Sequence, residues 1–142
     1  MGINRSNMSK VFVYGSLKQG YWNNSLLRNS ELLFRANTVD KVYKMVDLGS
    51  FPAVVKGGDF KVSGEVYNVD DTTLQRLDAL EGNGSFYMRE EVLVEPLNDN
   101  PKTLAWIYIL IDGKNLGFNT TYNKCSLSLH YNDNKVSWGM SG

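Results

Sequence analysis

The chain is poor in the side chains that most often carry chemistry. Its 142 residues include one His and one Cys, too few for a His/Cys metal cluster and one short of an intrachain disulfide. Fifteen Lys and Arg balance fifteen Asp and Glu, and a chain of zero net charge lacks the cationic surplus that neutralising many nucleic-acid phosphates requires. No stretch approaches the roughly 20 apolar residues of a membrane-spanning helix. The opening Met1-Gly2-Ile3-Asn4-Arg5-Ser6 is polar and has no apolar centre of the kind a secretion signal needs. It does match the permissive Met-Gly-x-x-x-Ser pattern of N-myristoylation. These absences predict a cytoplasmic, thiol-reducing setting, without a His/Cys metal cluster, nucleic-acid partner or membrane contact. Any reaction is left to carboxylates, hydroxyls and backbone groups.

What is present suits one globular domain, with 42% hydrophobic and 21% charged residues in a length large enough for a core. The organisation predicted is a flexible lead over residues 1–10 and a single domain over 11–142. Within that domain, residues 112–142 read as an irregular, Asn-rich polar tail that wraps as loops. Asn-x-Ser/Thr triplets at Asn4, Asn23, Asn83 and Asn119 are chance matches in a chain so rich in Asn. No feature specifies an oligomeric state.

Val11-Phe12-Val13-Tyr14 is a short unbroken apolar run of the sort that forms a strand covered on both faces. Leu26, Leu27, Leu32, Leu33 and Phe34 suggest a short helix followed by a covered segment. Further strands are expected around Val39–Leu48, Phe60–Val69, Glu91–Glu95 and Leu104–Ile111. In the second of these, Val62, Gly64 and Val66 share one side, while Glu65, Tyr67 and Val69 share the other. Gly49-Ser50-Phe51-Pro52 reads as a turn into the brief apolar run Ala53-Val54-Val55, and Pro96 and Pro101 bracket a loop. One helix is clearly punctuated: Asp70 and Asp71 suit its N-terminus, Leu74, Leu77 and Leu80 follow, and Gly82 offers a stop. Several strands and one strong helix indicate an α+β fold with a curved or closed, mainly antiparallel sheet.

Glu81 is the most informative residue. With Leu74 at 0°, a helical wheel puts Leu77 at about 300°, Leu80 at about 240° and Glu81 at about 340°. The carboxylate thus falls inside the apolar stripe, while Arg76 and Ala79 fall opposite. Burying a carboxylate raises its pKa, and a pKa near the working pH is what a general acid or base needs. Two plainer readings stand beside this one: fraying of the helix end that swings Glu81 outward, or a structural pairing with Arg89. Tyr14-Gly15-Ser16-Leu17 is the second feature. A buried strand ending in Gly-Ser leaves successive N–H groups outside any ladder, which suits an anion, although plain turns share the pattern. It lacks the Gly-x-x-x-x-Gly-Lys-Ser/Thr spacing of a nucleotide loop. Ser16 has no Gly-x-Ser-x-Gly elbow, and Cys125 and His130 lie in the least patterned segment, which disfavours a Cys/His dyad. Among the aromatics Trp22, Tyr87, Trp106 and Tyr108, core packing is the default, and only Tyr87, after Glu81, is placed to reach a site.

In order along the chain, these pieces resemble the gamma-glutamylcyclotransferase-like family, and most nearly its gamma-glutamylamine cyclotransferase branch. Val11-Phe12-Val13-Tyr14-Gly15-Ser16-Leu17-Lys18-Gln19-Gly20 is similar to the family's opening signature, and Phe51-Pro52-Ala53-Val54 and Gly64-Glu65-Val66-Tyr67-Asn68-Val69 to its middle motifs. Leu77-Asp78-Ala79-Leu80-Glu81-Gly82 with Tyr87-Met88-Arg89 resembles its catalytic helix and following loop. The resemblance spans Val11 to Ile111. It implies a small closed β-barrel with flanking helices, and the conversion of a γ-glutamyl amine or amide to 5-oxoproline plus free amine. It also implies that the loop of Tyr14, Gly15, Ser16 and Leu17, with Tyr87, binds the small-molecule γ-glutamyl substrate, and that Glu81 is the general acid/base. No metal or cofactor is implied. A non-catalytic carboxylate-binding module on the same fold is the alternative. Near the C-terminus, only Val136-Ser137-Trp138-Gly139 is loosely similar to the family's closing Gly-Asp-Trp-like segment.

Overall fold

A computed structural model describes residues 8–21, 23–47, 52–82, 84, 86–111 and 128–139. Trp22, Asn83, Asn119 and Cys125, the turn at 49–51, the pattern at Met1–Ser6 and the tail at 112–127 lie outside the described residues.

The chain begins with β1 (Ser9–Val13), a 3-10 turn (Asn24–Leu27) and β2 (Glu31–Thr38). A hairpin of β3 (Tyr43–Asp47) and β4 (Pro52–Lys56) precedes β5 (Lys61–Val69), α1 (Asp71–Glu81), β6 (Tyr87–Pro96) and β7 (Thr103–Leu110). The strands β8 (Ser128–Asn132) and β9 (Lys135–Gly139) finish it. β1 pairs with β5, β5 with β2, β2 with β6, β6 with β7, and β7 returns to β1. The result is a closed five-stranded barrel. Every seam is antiparallel except β1–β7, which is parallel and meets at Val11 and Trp106. β9 adds to β5 in parallel at Lys61 and Val62, and the β3–β4 hairpin stands as a separate sheet.

Alternation along the strands builds two cores, one on each face of the barrel wall. From β1, β5 and β7, Phe12, Val62, Val66, Ala105, Ile107 and Ile109 join one cluster with Val92, Val94 and Trp138. The opposite faces of the same strands supply Val11, Val13, Tyr67, Val69, Tyr108 and Leu110, which pack with Leu17, Leu27 and Leu77. This is why β1 and β7 read as unbroken apolar runs: both their faces are covered.

The closed barrel agrees with the expected fold, while five local expectations need correction. The covered segment after the 3-10 turn is a full barrel strand, β2. A register shift between Leu32 and Phe34 breaks its alternation and hides its period. The strand expected from Val39 starts at Tyr43 instead, and the flanking helices reduce, among the described residues, to α1 and the 3-10 turn. Residues 128–139 of the supposed irregular tail form a hairpin around Asp133 at φ 59°. Finally, the stripe of α1 is narrower than its leucines suggest: Leu77 is wholly buried, whereas Leu80 is 45% exposed.

Candidate active site

The loop that follows β1 takes its shape from bonds made behind it. Lys18 N–H donates to Gly15 O (2.9 Å) and Asn23 N–H to Ser16 O (3.0 Å). The Asn23 amide donates to Ser16 Oγ (2.8 Å) and the Asn24 amide to Leu17 O (2.9 Å). Gln19 N–H is received by the buried Glu65 carboxylate (2.9 Å), and Lys18 Nζ donates to Trp138 O (2.6 Å). Carbonyls are therefore satisfied, while the N–H groups of Gly15, Ser16 and Leu17 meet no acceptor among the described residues. Surplus donors of this kind form an anion-binding concavity. Glycine is required at position 15 for space, since a Cβ there would lie 2.9 Å from Cδ and Cγ of Pro52.

Glu81 arrives from the other side, as the last residue of α1. Asp70 caps the helix start by accepting from Thr73 N–H (2.8 Å). The end is set by Gly82, left-handed at φ 61° and ψ 49°, a conformation that suits glycine at a helix C-terminus. Phe86 N–H then donates to Gly82 O (2.9 Å) and Gly84 N–H to Tyr87 O (2.7 Å). This tight return brings Tyr87 back to the side from which Glu81 projects.

Both features open on one cavity of about 340 Å³, lined by Phe12, Val13, Tyr14, Gly15, Ser16, Leu17, Asn23, Pro52, Leu80, Glu81, Phe86, Tyr87, Tyr108 and Leu110. Glu81 is the one charged side chain among these. Burial pushes its carboxyl from the ordinary 4.5 up to about 7. The hydroxyls of Tyr14, Tyr87 and Tyr108 are also pushed well up, by burial first and with help from the negative charge of Glu81, so all three keep their protons near neutral pH. Tyr14 Oη donates to Tyr108 O (2.7 Å) and Tyr108 Oη to Asp78 Oδ1 (2.7 Å). The Tyr87 hydroxyl has no hydrogen-bond partner among the described residues.

The sequence profile of the family described as gamma-glutamyl cyclotransferase, AIG2-like, matches residues 11–126. The chain belongs to this family. Among curated cyclotransferase-family relatives, a Methanocaldococcus jannaschii protein named as a candidate gamma-glutamylcyclotransferase is 39% identical over 103 residues, 71% of this chain and 83% of the other. A gamma-glutamylcyclotransferase family protein of Escherichia coli is 36% identical over 110 residues, 75% of this chain and 89% of the other. The crystal structure of a mouse AIG2-like protein superposes with a TM-score of 0.66 at 25% identity, covering 80% of this chain and 86% of that one.

All six residues singled out from the cyclotransferase pattern, namely Tyr14, Gly15, Ser16, Leu17, Glu81 and Tyr87, line the one cavity. Neither plainer reading of Glu81 describes the structure. The carboxylate lines the cavity instead of swinging away, and Arg89 grips Asp78 through Nε–Oδ1 (2.9 Å) and Nη2–Oδ2 (3.2 Å). His130 lies elsewhere, with Nε2 3.0 Å from Gly139 O. Sequence reasoning missed Tyr108 and Asn23. Tyr108 does lie in the core, as core packing by default implies. A tyrosine on a strand covered on both faces must also find a partner for its hydroxyl, and that need was the signal for its place at the cavity. Asn23 carried no signal beyond its composition.

Proposed function

We propose that this protein is a cyclotransferase that converts a γ-glutamyl amine or amide to 5-oxoproline and the free amine. The observation that carries the reading is the convergence on the same cavity of one desolvated carboxyl and three backbone N–H groups that meet no acceptor among the described residues. A γ-glutamyl group offers a matching pair of features: an α-carboxylate for the N–H groups, and an α-ammonium that must lose a proton before it can attack. With the α-carboxylate held at Gly15–Leu17, ionised Glu81 takes a proton from the α-amino group. The freed nitrogen attacks the γ-carbonyl carbon of the same molecule, closing a five-membered ring. Glu81 returns the proton to the departing nitrogen as the old C–N bond breaks. The second proton, which the ring nitrogen sheds on becoming an amide, passes to the freed amine, which leaves as its ammonium, so atoms and charge balance without added water.

A carboxyl that titrates near 7 suits both halves of this cycle, because it accepts and donates with little penalty either way. Nucleophile and electrophile belong to one substrate, so the protein's task is to fold that substrate and move a proton. Tyr87, whose protonated hydroxyl has no partner among the described residues, can donate to a substrate oxygen. The leaving group would sit against Phe12, Pro52, Leu80 and Phe86, walls without a cation. That composition favours an amine or amide over a leaving group that carries its own anion.

The test is 5-oxoproline release from a panel of γ-glutamyl compounds by the wild type and by Glu81→Gln. Release by the wild type, with loss of at least 100-fold in kcat and retained substrate binding in the variant, is expected. Binding without release by the wild type would support the non-catalytic alternative. Equal release by the variant would remove Glu81 from the reaction.

A further inference from the structure

The two halves of the site are joined by polar contacts that run behind the cavity. Asp78 lies three residues before Glu81 on the same side of α1. It accepts from Tyr108 Oη at 2.7 Å and from the Arg89 fork at 2.9 and 3.2 Å. Arg89, on β6, also stacks over the Trp106 ring at 4.5 Å. Asp78 and Arg89 are each about a fifth exposed, at 24% and 20%, so the pair is well shielded. Tyr108, on β7, accepts at its carbonyl oxygen from Tyr14 at 2.7 Å, and Tyr14 begins the loop whose N–H groups line the cavity. Helix, barrel wall and loop are thus in register through Asp78, Tyr108 and Tyr14.

We propose that Asp78 is a positioning residue for this site: by holding Tyr108 and Arg89 together, it fixes the last turn of α1 so that Glu81 stands over the cavity. The proposal rests on the reading of Glu81 as acid/base. A free C-terminal helix turn frays readily. In α1 only Leu77 is wholly buried, while Leu80 is exposed at the cavity mouth, so apolar packing alone secures the final turn weakly. The bidentate ion pair supplies the direction that packing does not. Glu81 is faced by Tyr14 from the loop, Tyr87 from β6 and Tyr108 from β7, whose hydroxyls all respond to its charge. A turn released from Asp78 would let the carboxyl leave these groups for water.

Two variants test this. Asp78→Asn keeps an acceptor for Tyr108 but removes the charge that Arg89 grips, and Tyr108→Phe removes the hydroxyl while keeping the ring. The titration of the Glu81 side-chain carboxyl is followed by carbon-13 NMR, together with kcat, KM and the thermal midpoint. In both variants the Glu81 midpoint is expected to fall by at least half a pH unit toward the ordinary carboxylate range. For Asp78→Asn, kcat should fall roughly 10- to 100-fold with KM changed less than about threefold, the pattern of a misplaced group. A merely structural Asp78 would lower the thermal midpoint and leave the Glu81 titration in place, and that result overturns the proposal. The titration needs no turnover. A wild type that releases no 5-oxoproline therefore sinks the functional reading while the NMR still decides the role of Asp78. Turnover abolished by Glu81→Gln but untouched by Asp78→Asn sinks the positioning role alone.

Discussion

Replacing Glu81 by Gln should stabilise the protein, and the gain should grow with pH. The carboxyl is lifted by burial from 4.5 to about 7. At about 1.4 kcal/mol per pH unit, ionising it in the folded protein costs roughly 3 kcal/mol more than in the unfolded chain. Because the carboxyl opens on the cavity, where water screens part of that penalty, about 2 kcal/mol is the figure to expect. The sign follows from the raised folded-state pKa. Below about 4.5 both states hold the proton and the group is neutral in its effect. Between 4.5 and 7 the unfolded chain releases the proton while the folded protein keeps it, so stability falls as pH rises, and above 7 the full penalty applies. Glu81→Gln has no such titration. Its thermal midpoint relative to the wild type should therefore rise between pH 4 and pH 8.5. At about 2–4 °C per kcal/mol for a domain near this size, the added gap is roughly 4–8 °C. Differential scanning calorimetry of both proteins at the two pH values reads it directly. Any pH-independent effect of the amide itself cancels in the comparison. A gap that is equal at both pH values, or that shrinks as pH rises, would refute the burial of Glu81 on which the site is argued.

The same carboxyl should give kcat/KM an acid limb near pH 7, well above the roughly 4.3 of free Glu; a pH profile of 5-oxoproline release flat down to pH 5 would contradict it. Gly15→Ala places a methyl 2.9 Å from the Pro52 ring, so the loop or β4 must shift, and overpacking of that kind costs about 1–3 kcal/mol. Calorimetric titration with a γ-glutamyl compound should show affinity reduced about tenfold, alongside a lower thermal midpoint. Leu77→Ala empties the one wholly buried position of α1 and should cost about 2–5 kcal/mol in a denaturant melt. Its kcat should fall further than its folded fraction explains, because the helix that carries Glu81 loses its seat.

Glu81 was legible because helical geometry is local: eleven residues suffice to show a carboxylate inside an apolar stripe. The loop at Gly15 was legible for a similar reason, as a buried run punctuated by glycine. Barrel closure was not written in any one window. It depends on Val11 meeting Trp106 in parallel, a pairing decided by the rest of the chain. β2 escaped because its register shift disrupts the two-residue period that marks a strand. The C-terminal hairpin escaped because its strands are only five residues each, and the Asn-rich sequence around them leaves little length over which alternation can show. The turn at Asn132-Asp133-Asn134-Lys135 was the signal available there. Tyr108 shows a different gap: its apolar neighbours explain why it is buried, but only its partner, Asp78, explains why it is a tyrosine.

The parallel seam between β1 and β7 gives the cavity a place in time as well as in space. Tyr14 and Tyr108 are 94 residues apart, and they stand on opposite sides of that seam. Closing so long a loop comes before its contacts can repay the lost chain entropy, which makes the step slow. A molecule with only this seam parted would keep most of its strands and its helix, yet would no longer bring the Gly15 loop against Glu81. Substrate binding should therefore vanish ahead of the circular dichroism signal during gradual denaturation, and return after it on refolding.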